Sequence, residues 1–171
     1  MMQSSPLNAR RAVMLLGRLI LGAMFIYAGY AKIFMPGMHP RPPIAIAFAL
    51  FALQVDSYQI LPPAAVNFVA RTLPLTEITL GLLLITGWQL RIWGTVVSLI
   101  MLGFFAAVVR SYAMGLQINC GCFANPEPLT INTVIRDGLL SALAVAMTVF
   151  AFLEARHRHP WSATAKPEPA R

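Results

Sequence analysis

The sequence predicts an all-α membrane protein: a bundle of four transmembrane helices, with a short interfacial helix in the first outer connection and both termini in the cytoplasm. Three observations carry that prediction. Of 171 residues, 58% are hydrophobic and only 11% are charged, with a mean hydropathy of +0.69, whereas a soluble domain carries about 25% charged residues. Four stretches approach or exceed the roughly 20 apolar residues that a hydrocarbon core requires. Six of the 13 basic residues stand outside those stretches at the two ends of the chain.

The first span is read from Ala12 to Phe34. A signal peptide is the competing reading, because Arg10 and Arg11 precede an apolar run. Arg18 interrupts that run, no small-x-small cleavage site follows, and the segment is long enough to cross, so it is read as a span. A shorter apolar run, Ile44 to Val55, lies between Pro42–Pro43 and Asp56. At about a dozen residues it falls short of a span and reads as an interfacial or re-entrant helix. The remaining spans are Ala64 to Trp88, Ile92 to Val109 and Ile131 to Leu153. Residues 12–153 thus form one membrane domain, between a cytoplasmic segment at 1–11 and a basic, proline-containing tail at 154–171 that is expected to be disordered.

The net charge of +7, from 13 basic and 6 acidic residues, follows membrane topology and calls for no nucleic-acid partner. Arg10 and Arg11 stand before the first span, and Arg156, Arg158, Lys166 and Arg171 after the last. With four spans both ends share a side, and the positive-inside rule makes it the cytoplasm. The connection from Met35 to Pro63 and the one before the last span then face outward, which places the latter in the periplasm of a bacterial inner membrane.

Ionisable residues inside spans are costly and turn toward the bundle or a polar cavity. In the first span Arg18, Gly22, Phe25, Gly29 and Lys32 repeat at helical spacing and share one face. Glu77 falls in the outer half of the second span, and Asp137 lies roughly 9 Å in from Ile131 at 1.5 Å per residue. Lys32, Glu77 and Asp137 are therefore expected to form one buried polar layer. It either neutralises itself and fixes helix register or lines a proton or quinone site. On the last span Asp137, Ser141, Ala144 and Thr148 make a small, polar stripe, so Asp137 faces the bundle and Arg136 snorkels outward. Arg18 has no carboxylate at its depth, which leaves it a backbone carbonyl or a lipid headgroup.

The outward connection before the last span reads INCGCFANPEPLT and contains both cysteines of the chain, Cys120 and Cys122. A disulfide over so small a ring removes little loop entropy, and its geometry is demanding. Gly121 relaxes the backbone between the two. A strained, exposed disulfide of this kind has a high reduction potential and suits exchange with other thiols. Thr130, a candidate N-cap, starts a helix whose positive end favours a thiolate, and Arg110 and Lys32 are further cations on that side. A copper(I) site is the alternative, with Met35, Met38 and His39 at the same side of the membrane. A purely structural or unreacted pair is the third reading.

Three stretches resemble a known family: GRLILGAMFIYAGYAKIFMP from Gly17 to Pro36, LPLTEITLGLLLITGW from Leu73 to Trp88, and CGCFANPEPLTINTVIRD from Cys120 to Asp137. They are similar to DoxX-like membrane proteins and, more closely, to the methylamine-utilisation MauE branch. The mark of that branch is a Cys-Gly-Cys-Phe-Gly motif before the last helix; Ala124 stands here where Gly is usual. The resemblance spans roughly residues 12–153. It implies a four-helix membrane protein associated with periplasmic thiol and disulfide chemistry, linked in the methylamine branch to maturation of the disulfide-rich small subunit of methylamine dehydrogenase. DoxX relatives are linked to quinone-coupled sulfur oxidation. At the level of architecture alone, the four-helix vitamin K epoxide reductase and disulfide-oxidase bundles are similar.

The expected function is that of a redox-associated accessory protein in which Cys120 and Cys122 exchange disulfides with a periplasmic client or a thioredoxin-like protein. With two cysteines there is no second internal pair, so electrons pass to a partner protein or to a bound quinone, the one cofactor this reading admits. Enzyme and non-enzyme readings both stand: a thiol-disulfide oxidoreductase or quinone-coupled subunit, a noncatalytic assembly factor, or a copper(I) handler at the outer face.

Overall fold

A computed structural model describes residues 6–121 and 127–158. Cys122, Ala124 and the tail from residue 159 onward lie outside the described residues. Five helices appear in the described part: α1 (Pro6–Phe34), α2 (Ile44–Asp56), α3 (Pro63–Thr86), α4 (Leu90–Ala113) and α5 (Ile131–Arg158). Four of them, α1, α3, α4 and α5, are long and apolar enough to cross a membrane. The first candidate span is Ala12–Phe34, as the sequence reading has it, although the helix itself starts earlier, at Pro6; α4 is longer at both ends than the Ile92–Val109 read from sequence, and α5 runs on through Arg158 into the segment read as a disordered tail. Proline fits the first helical turn because its missing N–H has no partner to lose there, and nothing in the Glu154–Arg158 stretch breaks a helix.

Prolines and glycines set the other boundaries. Pro42 and Pro43 stop regular structure before α2, and at its end the Ser57 hydroxyl donates to the Gln54 carbonyl over 2.7 Å. Pro62 and Pro63 open α3. Gly87 closes it in the left-handed region at φ 72°, with its N–H on the Leu83 carbonyl at 3.0 Å.

The helices pack as two pairs, α1 along α3 and α4 along α5, joined by thinner α1–α5 and α3–α4 contacts. Glycines bring the first pair together. A β-carbon at Gly22 would lie 2.8 Å from the Gly81 carbonyl oxygen, and one at Gly81 would lie 2.6 Å from the Gly22 carbonyl oxygen. Backbone thus meets backbone, as small residues permit between membrane helices. One helical face of α1 carries all five residues of the expected stripe: Gly29 packs on Pro74 and Ile78, and Arg18 and Lys32 find partners on α3.

Arg18 reaches the last turn of α3, where Nε donates to the Leu84 carbonyl over 3.0 Å and Nη2 to the Ile85 carbonyl over 2.9 Å. These carbonyls lie past the last intrahelical donors, so the guanidinium fills their vacant acceptor sites at the negative end of the helix.

The second pair is joined by the small, polar stripe of α5. Ser141, Ala144 and Thr148 are buried, the Thr148 and Ser98 hydroxyls lie 2.9 Å apart, and Gly94 leaves room for Thr148. Leu21, Phe25, Leu80, Leu84, Val97, Ala144 and Met147 form one apolar core drawn from all four long helices. Leu16, Ile20, Phe68, Leu82, Leu99 and Leu139 point away from it and are exposed. So much outward apolar surface is what a bilayer covers and water does not.

Helix α2 lies against α3 and α1 and buries Ala47 and Phe51. Its C-terminal end meets the cysteine connection, which brings both long connections together at one end of the bundle.

Candidate functional site

The cysteine connection is fastened by three hydrogen bonds, two within it and one from the turn after α2. Its two arms pair through an antiparallel bridge, with Cys120 N–H donating to the Glu127 carbonyl and Leu129 N–H to the Ile118 carbonyl, both at 2.9 Å. From the turn after α2, the Tyr58 hydroxyl donates to the Cys120 carbonyl over 2.6 Å. Arg110 of α4 holds that turn, with Nη1 donating to the Tyr58 carbonyl over 3.3 Å. Gly121 takes a positive φ of 73°, and a β-carbon there would come within 2.7 Å of the Gln54 side chain. Glycine meets both the conformational and the spatial demand.

Thr130 directly precedes α5, and its carbonyl accepts the Val134 N–H at 3.1 Å. Its backbone N–H donates to the Thr133 hydroxyl at 3.4 Å, which in turn reaches the Pro128 carbonyl at 3.3 Å. The start of α5 is thereby tied to the second arm of the connection.

These fastenings bury Cys120, at 1% exposure, and hold its sulfur against the first turns of α5. The Cys120 Sγ lies 3.6 Å from Asp137 Oδ2 and 3.7 Å from Arg136 Nη2. Arg136 also donates from Nε to Asp137 Oδ1 over 3.1 Å and pairs with Glu127 through Nη1. The sequence reading sent Arg136 outward. Its side chain is half-buried and folds over the start of α5, where Asp137, Glu127 and the Cys120 sulfur all accept from the guanidinium.

Lys32 and Glu77 form a buried ion pair, with Nζ 2.8 Å from each carboxylate oxygen. The ammonium also lies 5.5 Å from the centre of the Phe51 ring, a cation–π distance. Lys32, Glu77, Asp137 and Cys120 all face one cavity of about 330 Å³. Its other walls are mostly apolar and include Met24, Phe25, Phe51, Met101, Phe104 and Leu140. The volume is at the lower end of the ~300–1,000 Å³ typical of small-molecule sites. Of the three residues expected in one polar layer, Lys32 and Glu77 pair directly, while Asp137 meets the cation of its own helix and the cysteine sulfur.

Among the described residues no group of three or more His, Cys, Asp or Glu is placed to hold a metal ion. Met38 and His39 are exposed at the end of α1. The position of Cys122 relative to Cys120 lies outside the described residues.

Tyr58, Gln54, Glu127 and the inward role of Arg136 escaped the sequence reading. Tyr58 and Gln54 carry no local pattern, since their importance comes from a contact across more than sixty positions of chain. Arg136 had a signal in its neighbour, because an Arg-Asp doublet at a helix start sets cation and carboxylate side by side.

The family model described as Methylamine utilisation protein MauE matches residues 10–150. Comparison with curated proteins and with solved structures gave no match.

Proposed function

The chain belongs to the methylamine utilisation protein MauE family, and from that premise we propose that it is an inner-membrane accessory protein that exchanges disulfides with a periplasmic partner through Cys120 and Cys122. The observation that carries this reading is the setting of the Cys120 sulfur. It stands at the wall of a cavity, within hydrogen-bonding reach of a carboxylate and a guanidinium. An inert structural cysteine needs neither neighbour, whereas a reactive one sits among charges that govern its proton.

In this reading the first and second outward connections face the periplasm, both termini are cytoplasmic, and residues 12–153 form the working domain. Forming a disulfide releases two electrons and two protons from the two thiols. The chain has no further cysteine to receive them, so they pass to a thioredoxin-like partner or to a membrane quinone, for which the apolar cavity has room. Lys32, Glu77 and Asp137 supply the polar groups of that cavity. The client is a disulfide-bearing periplasmic protein of the methylamine-dehydrogenase type.

The test is the chain with both Cys120→Ser and Cys122→Ser. It accumulates in the membrane at the unmodified level while the periplasmic partner fails to reach its disulfide-bonded form. A partner that matures normally with this chain overturns the reading and leaves a noncatalytic assembly role. In the purified protein the pair titrates reversibly at a potential well above about −300 mV, the region of inert structural disulfides.

A further inference from the structure

Cys120 is buried, yet its sulfur touches two charged groups that also touch each other: Asp137 Oδ2 at 3.6 Å, Arg136 Nη2 at 3.7 Å, and Arg136 Nε to Asp137 Oδ1 at 3.1 Å. We propose that Asp137 is the proton acceptor for the Cys120 thiol and that Arg136 is the positioning residue that holds the two together. The inference rests on the exchange reading and assigns the groups that make Cys120 a nucleophile.

The transfer breaks the S–H bond and forms an O–H bond on Asp137, and the sulfur keeps the electron pair. One negative charge moves from carboxylate to sulfur, and none is created. That matters in a buried site, where a new unpaired charge is costly. Arg136 lies beside both ends of the path, so the charge has a cationic partner before and after the transfer. Ser141 donates its hydroxyl to the Asp137 main-chain carbonyl, so it places no donor on the carboxylate.

Among the described residues, the other charged or titratable groups near the sulfur have partners of their own, and one of them shares Arg136. Glu127, from the opposite arm of the connection, pairs with Arg136. Across the cavity Lys32 of α1 and Glu77 of α3 neutralise each other. Tyr58 uses its hydroxyl on the Cys120 carbonyl, and Arg110 of α4 is bound to the Tyr58 carbonyl.

The experiment uses the full chain with Cys122→Ser, which leaves Cys120 as its one thiol, and the small apolar disulfide 4,4′-dithiodipyridine. The Cys120 sulfur attacks one sulfur of the probe, the probe's S–S bond breaks, and one thiopyridone leaves. With Asp137 as acceptor, the rate is nearly flat from pH 6 to pH 8 and falls in deuterium oxide, because a proton is in flight in the rate-limiting step. Asp137→Asn lowers the rate at pH 7 by about a hundredfold and makes it climb about tenfold per pH unit, since attack then waits for free thiolate. Arg136→Gln slows the reaction about tenfold without restoring that climb, and Arg136→Lys recovers part of the loss.

A tenfold rise per pH unit in the chain that retains Asp137 overturns the proposal, and so does a flat profile that survives Asp137→Asn. Should the Asn variant not fold, the profile and the deuterium effect of the Asp137 chain decide alone. The probe needs no client, so failure of partner maturation and failure of this relay are read separately.

Discussion

The hydroxyl of Tyr58 lies 2.6 Å from the carbonyl oxygen of Cys120, sixty-two positions along the chain. This bond fastens the turn after α2 to the connection that carries the cysteines. Both groups are buried, so removing the hydroxyl leaves an acceptor without its partner at a cost of about 1–3 kcal/mol. Tyr58→Phe is expected to loosen the connection while sparing the helices: amide exchange at Cys120 and Leu129 accelerates, and exchange within α1 and α3 does not. Uniform acceleration throughout the chain would instead make Tyr58 a residue of global stability.

The Lys32–Glu77 pair behaves differently when broken than when replaced. Each single change, Lys32→Met or Glu77→Gln, strands a partner in an apolar wall and is expected to destabilise by about 3–5 kcal/mol. The double change removes both charges and recovers most of that loss. Thermal unfolding in detergent reads the cycle, and purely additive losses would contradict direct coupling.

Glycine is required at the α1–α3 contact but not everywhere in the bundle. Gly22→Val or Gly81→Val drives a side chain into the facing backbone and is expected to lower the yield of folded protein severely. Gly103 on α4 has nothing within 4 Å of its would-be β-carbon. Gly103→Ala is therefore neutral, or stabilising by up to about 1 kcal/mol through helix propensity alone. Equal effects at Gly22 and Gly103 would show that close approach is not what the first glycine provides.

Much of this architecture was legible because the bilayer imposes simple demands. Length and apolarity gave the four spans, and the helical spacing from Arg18 to Lys32 gave the face that packs on α3. The stripe through Ser141 and Thr148 likewise marked the contact with α4. Arg18 could be placed only in outline, since its partners are backbone carbonyls near the end of α3 and every residue has a carbonyl. The cysteine site was legible in its composition and not in its shape. Nothing local in Tyr58 marks it as the clasp of a distant loop, and hydropathy reasoning sends Arg136 toward water when its acceptors are only a few residues away in space.

The division into two helix pairs bears on how the cavity responds to motion. Lys32 and Glu77 stand on α1 and α3, Asp137 and Arg136 on α5, and the cavity lies on the seam between the pairs. Within the first pair backbone meets backbone at Gly22 and Gly81, whereas contacts between the pairs are thinner. The width of the seam then acts as a gauge: a small parting of the pairs leaves each ion pair intact while it lengthens the separation between the ammonium on one bank and the sulfur on the other.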